Sequence, residues 1–167
     1  LLTIREKIGS WDGKKIAFVG DGVSNMARSW CWAAKHLGFD LSIGSPVDYQ
    51  PPAEFLEKLD CPNVTVTSDA REAVSGAHVV NTDVWLSMGQ EGEAGKEAQF
   101  DAYQVNTALL QDAASDHIVL HCLPAYRGKE ISEEVLEKHS DTIFQQAENR
   151  LHIQKGIMAR MAKHRVL

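Results

Sequence analysis

Short apolar, β-branched runs alternate along this chain with segments of helical periodicity, and that alternation leaves few folds open. Runs at 15–20, 39–44, 63–67, 77–83, 118–122 and 142–144 read as strands. Between the first two, Met26, Trp30, Ala33, Ala34 and Leu37 recur at the spacing of one helix face, which predicts a helix over 25–37 closed by Gly38. Further helices are expected over 52–59, 70–75, 106–113, 132–138 and 145–163, and residues 1–8 are patterned like the end of an amphipathic helix. Parallel strands this short and apolar need cover on both faces, and right-handed crossovers place helices there. The expected fold class is therefore α/β: a doubly wound parallel sheet with helices on both faces, a Rossmann-like three-layer sandwich, forming a single domain over 1–167.

Composition narrows the partners. A formal charge of −6 and a pI near 5.6 argue against nucleic acid or an anionic membrane, both of which need clustered Lys and Arg. No apolar stretch approaches the roughly 20 residues that span a bilayer, so no membrane contact is expected. Cys31, Cys61 and Cys122 are odd in number and far apart, which gives neither a disulfide framework nor a zinc knuckle. A reducing, cytoplasmic location is expected, with no metal and no cofactor. The chain opens on Leu1 rather than Met, which reads as a piece of something longer.

Chemistry-bearing residues gather where strands end. In open α/β sheets ligands occupy the crevice beyond the carboxyl ends of the strands. Gly20-Asp21-Gly22 follows the first strand like the start of a dinucleotide fingerprint, but Asn25 stands where the third glycine belongs and no acidic residue ends the second strand. Asn25 can cap its helix or bind a carboxylate there. At the end of the fourth strand, Asp83 can hold an ammonium and Ser87 can complete a polar shell, with the alternative of a helix-capping Asp before an ordinary loop. The Gly-, Glu- and Lys-rich segment 90–100 has the composition of a lid.

The run His121-Cys122-Leu123-Pro124 closes the fifth strand, and Cys122 is open to three readings: inert core thiol, nucleophile or polar substrate contact. Successive strand residues point to opposite faces, so His121 and Cys122 should diverge unless the strand has already broken, which weighs against a His base and a His-Cys metal site. Glu148-Asn149-Arg150 opens the last helix, where Arg150 can make planar bonds to a carbonyl or phosphate oxygen or sit in an ordinary salt bridge.

These motifs together resemble a known family. Val19 to Asn25, Asp83 to Glu91, His121 to Gly128 and Glu148 to Arg150 are similar, in order and nearly end to end, to the ornithine-binding half of the ornithine carbamoyltransferases. The resemblance implies that Asn25, Asp83, Ser87 and Met88 hold the α-amino and α-carboxylate groups of L-ornithine. It places Cys122 and Leu123 at the carbamoyl group of carbamoyl phosphate and the δ-amino group of ornithine, with Cys122 as the catalytic residue assigned to proton acceptance, and Arg150 on the carbonyl oxygen. Ser24 departs from the family, which commonly has a second Asn there.

The family's Ser-x-Arg-Thr-Arg phosphate motif and His-Pro-x-Gln segment have no counterpart in this chain. The resemblance therefore implies a partner, the missing N-terminal carbamoyl-phosphate domain, and little transferase activity without it. It further implies a homotrimeric parent enzyme, cytoplasmic or, in an animal, in the mitochondrial matrix. The competing readings are an NAD(P)-binding oxidoreductase domain and a non-catalytic amino-acid-binding module.

Overall fold

The computed structural model describes residues 1–86 and 95–163. Its centre is a parallel sheet of five strands: β1 (Lys15–Val19), β2 (Asp40–Gly44), β3 (Val64–Thr67), β4 (Val79–Thr82) and β5 (Ile118–His121), in the order β3-β2-β1-β4-β5. The order reverses between β1 and β4, so the crossovers on the two sides of that point run to opposite faces.

The pleat divides the core accordingly. Ile16, Phe18, Leu41, Ile43, Val79 and Leu120 face one way and are buried with α1 (Leu2–Ile8), α2 (Asn25–Leu37) and α3 (Ala53–Leu59). Ala17, Val19, Val80 and Val119 face the other way, under α4 (Ala70–Val74), α5 (Thr107–Leu110), α6 (Glu133–Lys138) and the 3₁₀ helix Glu97–Tyr103. The three-layer architecture is the one the alternation predicts.

Local chemistry sets the helix ends. Ser24 accepts the Ala27 N–H at 3.2 Å and caps α2, which stops at Gly38 in the left-handed region (φ 76°). Pro52 precedes the first turn of α3, and Asp69 and Ser132 cap α4 and α6.

Two expectations fail at the end of the chain. Residues 142–144 form no strand; they lie in the first turn of α7 (Ser140–Lys163), with Thr142 and Ile143 buried. Three residues cannot reveal a period, and the β-branched pair imitates a strand. Consequently Glu148-Asn149-Arg150 does not open the last helix but sits two turns inside it. The expected loop 90–100 also divides: 90–94 lies outside the described residues, whereas Lys96 and Phe100 are buried. Among the described residues no helix is long and apolar enough to cross a membrane.

Candidate functional site at the sheet edge

Register assembles the site. Val19 pairs with Gly44 and with Thr82, and Thr82 pairs with His121, so β1, β2, β4 and β5 all end on one line. The residues that follow them are thereby brought to one edge although the sequence scatters them. An open crevice of about 540 Å³ lies there, lined among others by Asn25, Asp83, Cys122, Leu123, Gln146 and Arg150. Ser87 and Met88 lie outside the described residues.

On the β1 side, the cap of α2 is Ser24, which leaves the Asn25 side chain to the crevice. The departure at Ser24 thus has a job of its own. Gly22 is explained by packing rather than by a dinucleotide: a Cβ on it would stand 2.8 Å from the Tyr49 carbonyl oxygen and 2.9 Å from Pro51 Cδ. Its N–H donates to Ser45 Oγ at 3.1 Å, so the segment after β2 occupies the space against this turn. Asp21 between the glycines is buried; Oδ1 accepts the Val23 N–H at 3.0 Å and Oδ2 meets Lys96 Nζ at 3.1 Å. Lys96 also sits 4.9 Å from the Tyr49 ring centre. Neither residue stands out in the sequence, since an Asp in a glycine turn and a Lys in a polar loop are commonplace.

At the centre, Asp83 leaves β4, with Oδ1 accepting its neighbour Val84's N–H at 2.9 Å. Cys122 stands opposite, its sulfur within 4.8 Å of an Asp83 carboxylate oxygen. Burial pushes the Cys122 thiol well above its ordinary pKa, the Asp83 charge adds to this, and Arg150 opposes it weakly. The thiol is held protonated, which is the opposite of an activated nucleophile.

The divergence expected of His121 and Cys122 does not occur. β5 ends at His121, Cys122 lies past the last pleat, and donor atoms of Asp83, His121 and Cys122 fall within 4.8 Å of one another. Three such donors are a candidate metal cluster by type. Both His121 nitrogens are engaged in protein hydrogen bonds, however, and the thiol retains its proton. A cation there would have to displace those bonds.

Across the crevice, Gln146 and Arg150 lie one turn apart on α7 and share a face. Gln146 Oε1 accepts the His121 N–H at 3.0 Å, tying the helix to the end of β5. Gln146 already lies in the expected helix 145–163, four residues before Arg150, so helical spacing alone was enough to single it out.

Fold and crevice define a class: an α/β domain with an open crevice at the carboxyl edge of its sheet, lined by a carboxylate, a thiol and an arginine. Comparison with known proteins makes the class particular. The profile of the family "Aspartate/ornithine carbamoyltransferase, Asp/Orn binding domain" matches residues 12–161. An ornithine carbamoyltransferase of Akkermansia muciniphila is 60% identical over 168 aligned residues, covering 99% of this chain and 55% of that protein. The anabolic ornithine carbamoyltransferase structure from Campylobacter jejuni superposes with a TM-score of 0.87 at 37% identity, over 97% of this chain and 56% of its own. The structure of the Pyrococcus furiosus enzyme gives 0.84 at 39% identity, over 95% and 52%. This chain belongs to the aspartate/ornithine carbamoyltransferase family and carries its Asp/Orn-binding domain. It spans about half the length of the curated relatives it matches.

Proposed function

We propose that this chain forms the ornithine side of an ornithine carbamoyltransferase, in which L-ornithine and carbamoyl phosphate give L-citrulline and phosphate. The observation that carries the reading is the convergence of Asn25, Asp83, Cys122, Leu123 and Arg150 on one crevice of about 540 Å³. Asn25 and Asp83 hold the α-carboxylate and α-amino groups of ornithine, with Ser87 and Met88 completing that shell. The δ-amino group lies toward Cys122 and Leu123, and Arg150 donates to the carbamoyl oxygen.

The δ-amine has an intrinsic pKa of about 10.4, as a lysine does, so it must lose a proton before it attacks. Cys122 takes that proton on Sγ while its own thiol proton passes to Asp83. The amine lone pair then forms a C–N bond to the carbamoyl carbon. Arg150 stabilises the oxyanion of the tetrahedral intermediate, and collapse breaks the bond to phosphate. A second proton, lost by the same nitrogen once the C–N bond has formed, leaves on phosphate, and the first passes from Asp83 to solvent.

Leaving-group stabilisation is assigned to a second, carbamoyl-phosphate-binding domain. The outer part of α7 offers it exposed apolar surface, with Leu151 and Met158 on one side of the helix and Ile153 and Ile157 on the other. With that domain the protein is read as a homotrimer of the cytoplasm, or of the mitochondrial matrix in an animal, taking no cofactor.

The test joins this chain to the amino-terminal half of the Akkermansia relative. Citrulline should form with the joined protein and ornithine, not with aspartate, and not with this chain alone. Equal turnover by the chain alone, or preference for aspartate, would refute the assignment.

A further inference from the structure

We propose that the buried pair His121 and Glu130 positions the reacting end of the site by fixing the loop that carries Cys122 and Leu123. The inference rests on the carbamoyl-transfer reading of the crevice and adds residues to it. His121 and Glu130 are 0% and 1% exposed, and neither reaches the crevice. One carboxylate oxygen, Glu130 Oε1, lies 3.1 Å from His121 Nε2 and accepts the Tyr126 N–H at 2.6 Å. It therefore clamps both ends of the 121–126 loop.

The imidazole carries the clamp inward. His121 Nδ1 receives the Leu123 N–H at 2.9 Å, and a backbone N–H can only donate. Nδ1 is therefore bare, and the ring proton sits on Nε2 and points at Glu130. This tautomer is the one arrangement of a neutral ring that satisfies both partners.

What the clamp holds is a strained residue. Leu123 has φ +54°, the left-handed region that a leucine with a Cβ avoids. Such a conformation persists only where its surroundings over-determine it. Here the Leu123 N–H is captured by His121, and Glu130 is itself anchored, its carbonyl accepting the Val105 N–H at 2.9 Å. Cys122 and Leu123 thereby owe their place in the crevice to two residues that touch no substrate.

The test compares variants on the chain and on the joined two-domain protein. Nitrogen-15 NMR of the chain should show His121 with a bare Nδ1 and a protonated Nε2; the reverse tautomer overturns the proposal. Glu130→Leu removes both bonds of the clamp and should raise the alkylation rate of Cys122 at least about tenfold and lower kcat about a hundredfold, the cost of a misplacement near 1 Å. Glu130→Gln keeps an oxygen to accept both bonds and should recover kcat to within about threefold of the parent. Val135→Ala, a buried α6 residue outside the loop, controls for general loss of stability. If Glu130→Leu does no more to Cys122 alkylation and kcat than this control, the positioning role is refuted. If the joined parent makes no citrulline, the carbamoyl-transfer reading fails instead, while the tautomer and alkylation results still decide whether the clamp holds the loop.

Discussion

Asp83→Asn separates the two causes that hold the Cys122 thiol protonated. The substitution is isosteric; its amide oxygen can still accept the thiol hydrogen and the Val84 N–H, so only the negative charge is lost. Donor atoms of the two residues lie within 4.8 Å. A unit charge at that distance acts on a thiolate with about 3.5 kcal/mol at an effective dielectric of 20 and about 0.9 kcal/mol in bulk water. The crevice is open on one side, so an intermediate value of about 1.5 kcal/mol applies, which is about tenfold in thiolate population. Alkylation of Cys122 by iodoacetamide at pH 8, followed by peptide mass spectrometry to distinguish it from Cys31 and Cys61, reads that population. The variant should react about tenfold faster than the parent, yet more slowly than a free cysteine, because burial is the larger cause and remains. An unchanged rate would remove Asp83 from the electrostatics of the site, and a rise to the free-cysteine rate would show that charge, not burial, governs the thiol.

Three further outcomes follow from the geometry. Lys96→Met should destabilise the chain by about 3 kcal/mol in urea unfolding, because the buried Asp21 carboxylate loses its ammonium partner and, among the described residues, is left with the Val23 N–H. Gly22→Ala should cost about 1–3 kcal/mol by the same assay, since the new methyl meets a carbonyl and a proline ring, neither of which can retreat. Burial, with His117 and Lys138 nearby, lowers the His139 pKa from 6.5 to about 4, so its stabilising effect is complete above pH 6.5 and is lost as pH falls through about 4. Discounted for its partial exposure, that loss is about 1–2 kcal/mol, and His139→Gln should flatten the stability–pH curve between pH 6.5 and 4.

The sheet was legible because its strands are short and apolar or β-branched, with glycine or proline closing β1, β2 and β5, and α2 because its stripe, cap and Gly38 agree. Local signals failed where they were brief. Thr142 and Ile143 imitate a strand, and the expected 106–113 helix shrinks to Thr107–Leu110, since Gln111, Asp112 and Ala113 form a turn instead. The positions of Asn25, Asp83 and Cys122 could be read as strand and helix ends. Their convergence depends on the register of β1, β4 and β5, a long-range property that no local window contains.

The break after β5 decides which of His121 and Cys122 does chemistry. Had the strand run one residue further, the pleat would have sent them to opposite faces, and only one could have neared the crevice. Because it stops at His121, donor atoms of both fall within 4.8 Å of Asp83, and hydrogen bonding then assigns their roles. His121 spends its acceptor on the Leu123 N–H and its proton on Glu130, nine residues on and hidden from local pattern, so it has nothing left to exchange with a ligand. Cys122 faces Asp83, and that carboxylate can take the thiol proton when a substrate amine replaces it at sulfur. The paired motif therefore divides into a fixed residue and a transferring one, and the fixed residue is what keeps the transferring one in register with the amine.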